Sequence, residues 1–62
     1  MDKAKFEREF KVGAYNHIEL GDSGKIIADA YKILGKDKVR LFCNKSFIGW
    51  LSLKSIKELI RF

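Results

Sequence analysis

Lys25-Ile26-Ile27-Ala28-Asp29-Ala30-Tyr31-Lys32-Ile33-Leu34 can be built in two ways, and the rest of the chain follows from the choice. As a helix capped by Ser23 and closed by Gly35, it gathers Ile26, Ile27, Ala30, Ile33 and Leu34 into one stripe. As a strand, it puts Lys25, Ile27, Asp29, Tyr31 and Ile33 on one face and Ile26, Ala28, Ala30 and Lys32 on the other. The alanines favour helix locally. The preceding Gly21-Asp22-Ser23-Gly24 favours strand, because a two-glycine turn joins antiparallel strands well. Strand is the expectation carried forward. Helix over 24–34 is the alternative, and it would give a β-α-β-β-α sandwich.

Upstream, apolar residues fall on even positions: Phe6, Phe10, Val12, Ala14, Ile18 and Leu20, with Arg8 and Asn16 as exceptions. Period two predicts a strand over about Phe10–Leu20, bent at Gly13, after a start at Asp2–Glu9 that could form a helical turn. Downstream, Val39–Cys43 and Phe47–Leu51 predict a hairpin across Asn44-Lys45-Ser46. The end predicts a helix. Ser52 or Ser55 caps it, Ser55 and Glu58 have capping-box spacing, and Leu53, Ile56, Leu59 and Ile60 form one apolar stripe. The expected fold is therefore α+β: a four-stranded antiparallel sheet with one C-terminal amphipathic helix, in a single domain over 1–62.

Sixty-two residues bury a marginal core, and such domains usually add disulfides, a metal or a partner subunit. Cys43 is the single cysteine, and with the single histidine, His17, it supplies two of the four ligands a structural zinc needs. The partner subunit remains, so a homodimer is expected, with Leu53, Ile56, Leu59 and Ile60 as its interface. No cofactor or metal is expected. The charged opening Met1–Lys5 resembles no targeting segment, and Phe47–Leu51 is the longest apolar run. A cytoplasmic protein without a membrane partner is the reading.

The net charge is +5. Residues 1–24 hold four bases against five acids, and residues 25–62 hold nine bases against three acids. That asymmetry points to a polyanionic partner. Enzyme chemistry finds little support. His17 stands alone on a polar face, Cys43 reads as a small hydrophobe, and Gly21–Lys25 lacks the spacing of a phosphate loop. What stands out is cations interleaved with rings: Lys32, Lys36, Lys38, Arg40 and Lys45 near Tyr31, Phe42, Phe47 and Trp50. Single-strand binders need this pairing, because cations track phosphates while ring faces stack on bases. Phe42 and Phe47 are expected in the core, Trp50 can join them there, and Tyr31 is the exposed stacking candidate.

Phe10-x-Val12-Gly13, Ile18-x-Leu20, Gly24-Lys25-Ile26-Ile27-Ala28-Asp29-Ala30 and Gly49-Trp50-Leu51-Ser52-Leu53 resemble the positive cofactor four family of transcriptional coactivators. The resemblance spans residues 10–60. It implies a four-stranded sheet with a dimerising C-terminal helix and grooves for single-stranded DNA. Lys25 then matches a lysine of the DNA-contacting turn, and Lys45 falls near the family's basic loop. The chain departs at Ser23, at Tyr31 and at Asn44–Gly49, where the family has an aromatic, an arginine and a proline-containing loop. With 24–34 helical, residues 25–56 instead look like the middle of the histidine phosphocarrier family, although His17 does not stand at the helix start.

Two functions follow as expectations. The first is a dimer binding single-stranded DNA, with RNA possible, in transcription or single-strand protection, through Lys25, Tyr31, Lys32, Lys36, Lys38, Arg40 and Lys45. The alternative is a regulator or inhibitor that binds protein, for example of phage origin, with no nucleic-acid contact.

Overall fold

A computed structural model describes residues 1–61. Helix α1 (Lys3–Glu9) is followed by β1 (Asn16–Leu20), β2 (Lys25–Ala28), β3 (Ala30–Leu34), β4 (Lys38–Cys43) and β5 (Ser46–Ser52). A 3-10 turn over Leu53–Ser55 leads into β6 (Ile56–Arg61). The strands form two three-stranded antiparallel sheets, ordered β2-β1-β6 and β3-β4-β5. The expected four-stranded sheet with a C-terminal helix is therefore wrong.

Residues 25–34 are extended, which removes the helical alternative for 24–34. They form two strands rather than one, parted by Asp29. That residue is pinned at the corner between the sheets. Its N–H donates to the Phe42 carbonyl, its own carbonyl accepts from Gly13, and its carboxylate accepts the Asn44 N–H. The two sheets close over one core of Phe6, Phe10, Ile18, Ala28, Val39, Leu41, Leu53, Ile56 and Leu59.

Phe6 and Phe10 lie on even positions, yet they do not belong to a strand. Four residues apart, they equally suit one helical face, and Asp2 caps that helix by accepting the Lys5 N–H at 2.7 Å. The strand expected over Phe10–Leu20 shrinks to Asn16–Leu20. Its inward face keeps the even parity, and Asn16 shares it with Ile18, both wholly buried.

The C-terminal helix fails for an identifiable reason. Leu59 pairs with Ile18, Glu58 with Glu19 and Ile56 with Leu20, so the ladder with β1 skips Lys57. That bulge lets Ile56 and Leu59, three residues apart, both point inward and imitate helical spacing. Ser52 does cap, its Oγ accepting the Lys54 N–H, but only the 3-10 turn. Leu53, Ile56 and Leu59 are buried in the chain's own core and Ile60 is 38% exposed, so no helical dimer stripe exists. The architecture implied by the positive cofactor four resemblance is absent with it.

Candidate nucleic-acid interface

The second sheet is built from AYKIL, KVRLFC and SFIGWLS, none of which contains an acid. Pairing aligns Lys32 with Arg40, and Arg40 with Trp50, in one row across all three strands. Val39 and Leu41 fill the core, so this row lies on the opposite, outer face, where all three residues are exposed. Lys38 shares the face, and its ammonium sits 5.2 Å from the centre of the Trp50 ring. A shallow cavity of about 190 Å³ lies there, lined by Leu34, Lys38, Val39, Arg40 and Trp50.

A second bulge composes the aromatic part of the face. Phe47 pairs with Phe42 and Gly49 with Leu41, which leaves Ile48 unpaired. The extra residue brings Phe47 and Trp50, three apart, to the same side. Gly49 takes φ +147, where a side chain would be strained, so glycine suits the bulge. Phe47 is 56% exposed, against the expectation that it belongs in the core, and Trp50, at 59% exposed, does not lie in the core either. Phe42 is half-buried and meets Phe47 edge-on at 5.8 Å.

The expected contact residues divide. Lys32, Lys38 and Arg40 come together on the face, Lys36 lies in the turn before β4, and Lys45 lies in the turn after it. Lys25 does not join them. It opens β2 on the first sheet, opposite Glu19, which also pairs with Lys57 at 3.6 Å. Tyr31 is no stacking platform, because its half-buried ring packs edge-on against Phe6 at 4.9 Å and Phe10 at 4.8 Å. Trp50 is instead the exposed ring in the row of cations. Alternation alone hid it, since nothing marked the bulge except Gly49.

Cys43 is free and half-buried, and His17 is half-buried on β1. Among the described residues no three His, Cys, Asp or Glu side chains group to hold a metal ion, and no helix is long and apolar enough to cross a membrane. The Gly21–Gly24 segment is a turn, with Asp22 Oδ1 accepting the Gly24 N–H at 3.0 Å. Comparison with known protein families, curated proteins and solved structures finds no match to this chain.

Proposed function

We propose that this protein binds single-stranded nucleic acid, preferring DNA, across the outer face of β3-β4-β5. The observation that carries the reading is the row Lys32–Arg40–Trp50 on a sheet without acids. Like charges placed directly opposite on neighbouring strands destabilise a sheet, and no carboxylate among the described residues pairs with them. A polyanion relieves that repulsion. Lys36 and Lys45 extend the charge beyond the two ends of β4, so a backbone running along that strand meets cations throughout its path. Exposed Trp50 and Phe47 offer ring faces to bases. Together these features favour binding tolerant of sequence, as single-strand protection or a role in transcription requires. A cell interior is the matching compartment, and the free thiol of Cys43 suits it.

Trp50 is the sole tryptophan, so its fluorescence reports on this face alone. Single-stranded oligonucleotide should quench it, and duplex of the same length should quench it less. Trp50→Ala should weaken binding by about 1–3 kcal/mol, the worth of one stacked base, with the fold unchanged by circular dichroism. Fluorescence indifferent to single strands at low salt defeats the proposal.

A further inference from the structure

The four edge strands are β2, β6, β3 and β5. Natural sheets protect such edges with charge, shortness, proline or bulges, because an open edge recruits another strand. β2 carries Lys25, β3 carries Lys32, and β6 carries Lys57 and Glu58. β5 has no charge and no proline, and at seven residues it is the longest strand. Its one blunting feature is the bulge at Ile48, and the residue there is apolar and 43% exposed. Phe47, Ile48 and Trp50 are all exposed on this one strand.

We infer that β5 pairs edge to edge with β5 of a second copy, in antiparallel fashion about a two-fold axis normal to the sheet. Charge favours this occupant. The strand itself brings no like charges together. The two β4 strands, bearing Lys38 and Arg40, stand three strand spacings apart, about 14 Å, beyond the screening length of about 8 Å at physiological salt. Size favours it too, since so short a chain gains more from a partner subunit than a larger domain does. A two-fold of this kind keeps both outer faces on the same side. The product is a six-stranded sheet whose single outer face carries Lys32, Lys38, Arg40, Phe47 and Trp50 twice. The consequence for binding rests on the proposed function: each copy supplies half of a longer nucleic-acid track.

Sedimentation of the full chain without nucleic acid tests the pairing. Wild type should be a dimer at tens of micromolar, and Ile48→Lys, which places a charge on the edge, should be a folded monomer. Wild type that stays monomeric overturns the inference, and so does an Ile48→Lys dimer. Amide exchange on wild type needs no variant. Residues Phe47–Leu51 should gain protection as concentration rises while β6 does not, and unchanged exchange in β5 overturns the inference. An oligonucleotide spanning both halves should bind about 100-fold tighter than a half-length one, and Ile48→Lys should lose that gain. A dimer without Trp50 quenching sinks the nucleic-acid reading alone, while quenching by a monomer sinks the β5 pairing alone.

Discussion

Asn16 is the residue on which the N-terminal half hangs. It is wholly buried, and its Oδ1 accepts the Lys11 N–H while Nδ2 donates to the carbonyls of Lys11, Ala14 and Ala28. One amide thus ties the loop after α1 to β1 and β2. Truncation to Ala takes this partner from the part-buried groups of Lys11 and Ala14 and from the buried Ala28 carbonyl, and a buried group left unsatisfied costs about 1–3 kcal/mol. Asn16→Ala should lose about 2–4 kcal/mol in urea unfolding, with the midpoint shifted and the slope retained. That is a large part of the roughly 0.05–0.15 kcal/mol per residue that domains possess. A loss under about 1 kcal/mol contradicts this role. The position was legible and its content was not. Parity placed Asn16 among buried residues, yet a polar side chain reads as an exception until its four partners are known.

At the scale of elements, the β4–β5 hairpin turns on Asn44 and Lys45, at φ 52 and 69. Both positive angles suit a two-residue turn of the type that prefers Asn-Gly. Asn44 tolerates its angle, and it is held by the Asp29 carboxylate and by the Tyr15 hydroxyl, which donates to its Oδ1 at 2.9 Å. Lys45 gains no such relief. Lys45→Gly should therefore raise stability by about 0.5–1 kcal/mol while weakening nucleic-acid binding, two effects of opposite sign from one substitution. Thermal unfolding and fluorescence titration on one sample separate them, and a stability loss contradicts the strain. This hairpin was readable because its strands alternate around a short polar connection. The bulges at Ile48 and Lys57 were not, since each breaks period two at one residue. The second converted a six-residue strand into an apparent helical stripe, and the 3-10 turn after Ser52 supplied a genuine cap in support of it.

At the scale of the molecule, charge was the most legible property. Of the nine bases after residue 24, Lys32, Lys38 and Arg40 lie on a sheet without acids, while Lys25, Lys57 and Arg61 share the other sheet with Glu19 and Glu58. Five cations, Lys32, Lys36, Lys38, Arg40 and Lys45, stand on that face or at its ends. If each neutralises one phosphate, log affinity should fall with log salt at a slope near −3.5, at about −0.7 per contact on single strands. Lys25→Ala should leave the slope unchanged, whereas Arg40→Ala should reduce it by about 0.7. A slope near zero, or equal effects from the two variants, contradicts the assignment of the face. The sheet partition itself could not be foreseen, because it depends on one residue, Asp29, interrupting a run that alternates on both sides of it.

The bulge at Ile48 also means that the aromatic surface is encoded by a count and not only by chemistry. Exchanging Ile48 for another residue keeps the count, so Phe47 and Trp50 stay on one side. Removing it restores strict alternation between β4 and β5 and sends one ring toward the core. Chain length at this point is thus an inherited trait of the surface. Single-residue insertions and deletions in β5 will reshape it where most point substitutions leave it standing.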